Sequence, residues 1–105
     1  MSRAEDENLA GQVRQALKLV IDPELGQNVV DLGMIYDVSV TDRCVATISM
    51  TTTTRGCPAT GFIRQAVEDR AWSVEGIEFV DVQLTYDPPW SPARIAPEIA
   101  GLLGR

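Results

Sequence analysis

The group in this chain best equipped for chemistry is the thiol of Cys57, in the stretch "TTTTRGCPATG" at residues 51–61. It stands between a threonine run with strand character and Pro58, which suits the first turn of a helix. The first N–H groups of a helix lack intrahelical partners and carry a partial positive charge. A thiolate placed there is stabilised, so its pKa is expected to fall below the free value of about 8.5. Arg55 adds to the effect if its side chain turns inward, and Thr54 can turn its hydroxyl toward the helix start. The competing reading is a buried, inert cysteine, since free cysteine is among the most buried residue types.

Other chemistries are closed off by what is missing. Gly56 and Gly61 have the spacing of a phosphate loop between a strand and a helix, but Phe62 and Ile63 stand where Lys and Ser/Thr are required. The chain has no histidine. His-based acid–base catalysis, His metal ligation within one chain, a Ser-His-Asp triad and a Cys-His dyad are therefore excluded. A nucleophilic Cys57 would have to use a carboxylate such as Asp22 or Asp87 as its base. Cys44, the second cysteine, opens the second expected strand and reads as a small packed hydrophobe.

Three acidic turns complete the set of candidates: Asp22 in "DPE", Asp31 in "DLG" and Asp87 in "DPPW". Aspartate favours such places because its carboxylate bonds nearby backbone N–H groups. The same side chains could line a pocket around the thiol. Trp90, after two prolines, reads as a packing lid, with a ligand-stacking surface as the alternative.

The elements that must position these groups follow from periodicity. From Glu5 to Ile21, Leu9, Val13, Ala16, Leu17 and Val20 recur at helical spacing. "DPELGQN" then stops the helix, because Pro23 disfavours a helical Asp22. Between Val29 and Val40 the pattern alternates, placing Met34, Tyr36, Val38 and Val40 on one strand face. "TDR" at residues 41–43 is a tight turn, and Cys44 to Thr53 should return antiparallel. A second helix should run from Pro58 to about Trp72, carrying Phe62, Ile63, Ala66 and Val67. Ile77 to Tyr86 alternates again. "DPPWSP" must be non-helical, and Ile95, Ile99, Leu102 and Leu103 mark a short closing helix that Pro97 either starts or breaks.

The expected fold is thus an α/β (α+β), two-layer α-β-β-α-β-α domain covering residues 1–105, with a three-stranded mixed sheet. At 45% hydrophobic and 23% charged residues, the composition is that of an ordinary globular chain. Fifteen acidic against nine basic residues give a net charge of −6, which disfavours nucleic acid as a partner. Some RNA-binding KH domains share the element order, but they set a GXXG clamp on a basic face, and that combination is absent. There is no 18-residue apolar run, and the acidic start does not read as a signal peptide, so a cytoplasmic protein without a membrane partner is expected. In that compartment the two cysteines are not expected to form a disulfide.

Three stretches in this order, "DPELGQNVVDLGMIYDVSV", "MTTTTRGCP" and "VQLTYDPPWSPARI", resemble the SufT/PaaD-like family of iron–sulfur cluster assembly proteins, from about Leu17 to Leu103. The resemblance implies a domain like the C-terminal domain of NifU-type scaffolds. It also implies a role in maturing iron–sulfur proteins in the cytosol. With no catalytic machinery evident in the residues, an accessory factor for client proteins, not an enzyme, is expected. By the same resemblance the family's motif aspartate falls on Asp22, its motif cysteine on Cys57, its "DLG" aspartate on Asp31 and its "DPPW" on Asp87 to Trp90.

The chain departs from related patterns in three places. The Cys-x-x-Cys of NifU-type domains is missing, because Pro58, Ala59 and Thr60 follow Cys57. Neither the cysteine-rich C-terminal segment of PaaD-type members nor a fused ATPase domain is present in the sequence. An iron–sulfur cluster usually takes four thiolates, and one candidate thiol cannot hold it alone. No tightly bound cofactor is expected. A transient iron–sulfur cluster would be shared by two Cys57 across a homodimer, or with an assembly scaffold, a client apoprotein or a small thiol. The alternatives are an adaptor in which Cys57 has no metal contact and a thiol-dependent enzyme with Cys57 as nucleophile.

Overall fold

The apolar repeat near the start of the chain forms helix α1, Arg3–Leu17. Val13 and Leu17, one turn apart, are fully buried, while Leu9, Ala10 and Ala16 pack partly against the core. Glu5 and Asp6 in its first turn and Arg14 in its last complement the helix dipole. The helix ends one turn before Ile21, the end expected from periodicity. The N–H groups of Lys18, Leu19 and Val20 bond carbonyls three residues back, a tightening that closes many helices. That turn sends Val20 into the core and leaves Leu19 and Ile21 exposed. The computed structural model describes residues 3–41, 44–52 and 59–100.

Strands β1 (Ile35–Val40) and β2 (Val45–Met50) pair antiparallel. Helix α2 (Thr60–Trp72) then crosses to β3 (Phe79–Leu84), which pairs parallel with β2, giving the sheet order β1-β2-β3. A 3-10 turn at Pro92–Arg94 leads to the short helix α3, Pro97–Ala100, which Pro97 starts. The α-β-β-α-β-α order and mixed sheet read from the sequence are those of the structure. Among the described residues no helix is long and apolar enough to cross a membrane.

One face of the sheet carries the core. Ala46, Ile48 and Met50 of β2 are fully buried, with Val40, Val38 and Ile35 beside them on β1 and Val80, Val82 and Leu84 on β3. Ile63, Val67 and Ala71 of α2, at four-residue spacing, join Val13 and Leu17 of α1 over this layer. Each large aliphatic side chain buried in this way contributes about 1.5–3 kcal/mol. The opposite face exposes Asp37, Ser39, Asp81 and Gln83.

Two local departures from the sequence reading matter for the site. In the β1–β2 register, Ile35 faces Met50 and Asp37 faces Ser49, so Tyr36 is the extra residue of a β-bulge. The bulge reverses the side-chain parity at that point. Ile35 takes the core-facing position expected for Tyr36, whose side chain is redirected. At the hairpin turn, the Thr41 N–H bonds the Val45 carbonyl, and Cys44 adopts a left-handed φ of 59° before β2 begins. The strand therefore starts one residue later than its apolar pattern suggests. Residues 42 and 43 of the turn lie outside the described residues.

Candidate functional site

Each of the three candidate aspartates is part of a turn. Asp22 is 2% exposed, and its Oδ1 accepts the N–H groups of Glu24 at 2.7 Å and Leu25 at 3.2 Å. Its own N–H bonds the Gln27 carbonyl, its carbonyl accepts the Gly26 N–H, and an isolated bridge joins Ile21 to Asn28. The "DPELGQN" segment is thereby a closed loop built around one carboxylate. Asn28 links it to the next turn: its Oδ1 accepts the Asp31 N–H at 2.9 Å, while its Nδ2 donates to Asp31 Oδ2 at 2.8 Å. Asp87 is exposed, and its N–H donates to Thr85 Oγ1 at 3.2 Å.

The segment after β3 folds back on "DLGMIY" like a strap. The Trp90 indole N–H donates to the Leu32 carbonyl at 2.7 Å, and the Ala96 N–H donates to the Asp31 carbonyl at the same distance. The Tyr36 hydroxyl, redirected by the bulge, donates to the Pro88 carbonyl at 2.7 Å. The Arg94 guanidinium lies over the Tyr36 ring, 4.7 Å from its centroid. Gly33 makes the approach possible: a Cβ there would stand 2.3 Å from the Arg94 carbonyl oxygen, and its φ is +77°. Only glycine meets both demands at low cost.

The exit of β2 is tied to both of these segments. Thr51 and Thr52 are buried at 0% and 2% exposure. The Thr51 N–H donates to the Met34 carbonyl and the Thr85 N–H to the Met50 carbonyl, each at 2.8 Å. The Thr52 hydroxyl pairs with the Tyr86 hydroxyl at 2.8 Å. The chain that leads from Thr52 toward the thiol thus departs from a point fixed by the end of the "DLGM" turn and by the start of "YDPPW". On the far side of the thiol, Ala59 is the N-cap residue of α2. Cys57 and Thr54 lie outside the described residues, as do Arg55 and Pro58.

The structure therefore joins four stretches of the chain. The loop closed around Asp22 connects to Asp31 through Asn28, Asp31 to the strap through Ala96, and the strap to the β2 exit through Tyr86. Thr52, Tyr86 and Arg94 are not among the site candidates that the sequence suggests, and Tyr36 is read there only as a strand residue. The two hydroxyl contacts and the Gly33–Arg94 approach span tens of residues, and no local pattern signals them. Trp90 packs against the core through its ring while its N–H is bonded. Among the described residues no three His, Cys, Asp or Glu side chains gather into a metal-binding group. A larger open cavity of ≈ 700 Å³ lies between α1, at Glu7 and Gln15, and the end of α2, at Ser73 and Glu75, away from all four stretches.

Comparison with known proteins adds an independent line. The profile of a family described as "Iron-sulfur cluster assembly protein" matches residues 11–84. An Fe-S protein maturation auxiliary factor from Porphyromonas gingivalis is 40% identical over 88 residues, 84% of this chain and 84% of the relative. The Bacillus subtilis Fe-S protein maturation auxiliary factor YitW is 35% identical over 96 residues, 91% of this chain and 90% of the relative. The crystal structure of a domain of unknown function from Bacillus anthracis superposes with a TM-score of 0.93 at 34% identity, covering 98% of both chains. The two relatives are named as auxiliary factors rather than as enzymes.

Proposed function

The chain belongs to the iron–sulfur cluster assembly protein family, and from that premise we propose that it is an auxiliary factor in the maturation of iron–sulfur proteins. The observation that carries this reading is the match, over most of both chains, to relatives named for that role. The finer part of the proposal concerns the thiol. Cys57 meets iron, sulfide or a cluster transiently as cargo, with the remaining ligands supplied by a scaffold, a client apoprotein or a second copy. Asp22, Asp31, Asp87, Trp90 and Thr54 shape the surroundings of that encounter.

Two features support a thiol presented for an encounter rather than a stored cluster. The segment that carries Cys57 leaves β2 from a rigid base, where Thr51 is bonded to Met34 and Thr52 to Tyr86. It enters α2 at Ala59, which gives the helix start no side-chain cap hydrogen bond. The unbonded N–H groups of a helix start favour an anion such as a thiolate.

The test is activation of an iron–sulfur client in cells lacking this chain, restored by the intact protein or by Cys57→Ser. Loss of restoration with Cys57→Ser, while the variant still binds the client, supports the thiol contact. Full restoration by Cys57→Ser removes it and leaves an adaptor that docks client and scaffold. Failure of the intact chain to restore the client would overturn the maturation role altogether.

A further inference from the structure

We propose that the depression bounded by Tyr36, Pro88 and Arg94 is a binding site for a carboxylate carried beside a small apolar group. The site uses none of the residues assigned to the thiol encounter and stands independently of that reading.

Its cation is held ready. The Arg94 side chain is exposed, its guanidinium lies over the Tyr36 ring, and it makes no ion pair among the described residues. The chain has fifteen acidic and nine basic residues, yet no carboxylate of the described residues forms an ion pair with this guanidinium. The backbone beneath it is fixed from three sides: Gly33 abuts the Arg94 carbonyl, the Arg94 N–H bonds the Ser91 carbonyl, and the Ala96 N–H bonds Asp31. The Tyr36 ring is fixed in turn by its hydroxyl bond to Pro88. A fork placed in this way loses little freedom when it binds.

The lining selects the ligand. Gly33, Ile35, Tyr36, Pro88 and Arg94 line an open depression of ≈ 410 Å³, which has room for a small organic acid. Ile35, Pro88 and the tyrosine ring are apolar, so a small hydrocarbon group is accommodated next to the charge. One guanidinium balances one negative charge. A polyphosphate would need further cations and would meet the field of a chain of net charge −6. A carboxylate matches the fork in a bidentate manner and carries a single charge. Such a group is offered by the C-terminus of a peptide ending in an apolar residue, or by a free organic acid.

Titration of the isotope-labelled full chain, followed by amide NMR shifts, decides the matter. The probes are N-acetyl-leucine, its amide, 4-methylpentanoate and inorganic phosphate. N-acetyl-leucine is expected to shift the signals of Gly33, Ile35 and Arg94 with a Kd on the order of 1 mM. Its amide should bind at least about tenfold more weakly, and Arg94→Gln should lose the acid's binding by a similar factor. Arg94→Lys, which keeps charge without the fork, should fall between. It also serves as the deciding variant should circular dichroism show Arg94→Gln unfolded. Tighter binding of N-acetyl-leucine than of 4-methylpentanoate assigns a peptide terminus, and the reverse order assigns a free acid. Equal binding of acid and amide, phosphate binding as tight as the acid, or undiminished binding by the Arg94 variants would overturn the proposal.

Discussion

The indole N–H of Trp90 donates to the backbone carbonyl of Leu32 at 2.7 Å, joining residues 58 apart in sequence. Leu32 is fully buried, and Trp90 packs partly against the core, so this bond closes the strap onto the "DLG" turn in a poorly hydrated place. Trp90→Phe keeps most of the ring and deletes the donor. It should lower stability by about 1–2 kcal/mol. The midpoint of urea unfolding should fall with its slope unchanged, which separates a lost bond from a changed denatured state.

Gly33 and Gly11 give opposite expectations for the same substitution. At Gly33 a Cβ would collide with the Arg94 backbone and φ is +77°, so Gly33→Ala should cost about 2–4 kcal/mol and displace the strap. Gly11 lies inside α1 with nothing near its Cβ position. Gly11→Ala should therefore stabilise by about 0.5–1 kcal/mol. Thermal unfolding of the two variants side by side checks both signs, and Gly33→Ala behaving like Gly11→Ala would contradict the described packing.

The Thr52–Tyr86 hydroxyl pair calls for a double-mutant cycle. Thr52 is 2% exposed, so Thr52→Val preserves shape while removing the hydroxyl. Thr52→Val and Tyr86→Phe should each cost about 1 kcal/mol, and the double variant less than the sum, by about 0.5–1 kcal/mol. Strict additivity in chemical denaturation would mean that the two hydroxyls do not support one another.

Cys44 holds a left-handed φ of 59° at the hairpin turn. A side chain branched at Cβ is poorly tolerated there, and Cys44→Val should cost about 1–2 kcal/mol. Cys44→Gly should be neutral or stabilising by up to about 1 kcal/mol, since relief in the native state outweighs the added freedom of the unfolded chain. Differential scanning calorimetry distinguishes the two, and a stable Cys44→Val protein would count against the turn geometry.

Much of the fold was legible because its signals are local. The spacing of Val13 and Leu17, and the alternation from Ile77 to Tyr86 that puts Val82 in the core, each announce an element without reference to the rest of the chain. The bulge at Tyr36 left no such trace. Ile35 and Tyr36 both tolerate a core-facing position, so inserting one residue leaves the apolar pattern readable in two registers. The early end of α1 is similar, since Val20 suits the helical repeat and yet enters the core through a tighter turn.

The candidate site was legible in part. The sequence suggested that Asp22 closes a turn, and its carboxylate does bond the Glu24 and Leu25 N–H groups. What Asp22 joins could not be read, because the path through Asn28 and Asp31 to Ala96 is a matter of tertiary contact. Arg94 and Tyr36 were overlooked for the same reason: a lone arginine after a proline-rich turn carries no hint of a ring beneath it.

The strap also sets a timetable for synthesis. Tyr36 must wait for Pro88, 52 residues later, before its hydroxyl finds its acceptor. At about 5–20 residues per second, that interval is roughly 3–10 s for a chain still emerging from the ribosome. Cys57 is made within that interval, 31 residues before Pro88, while the strap that bonds the "DLG" turn is still to come. A nascent chain therefore carries its thiol before the strap can close on the "DLG" turn.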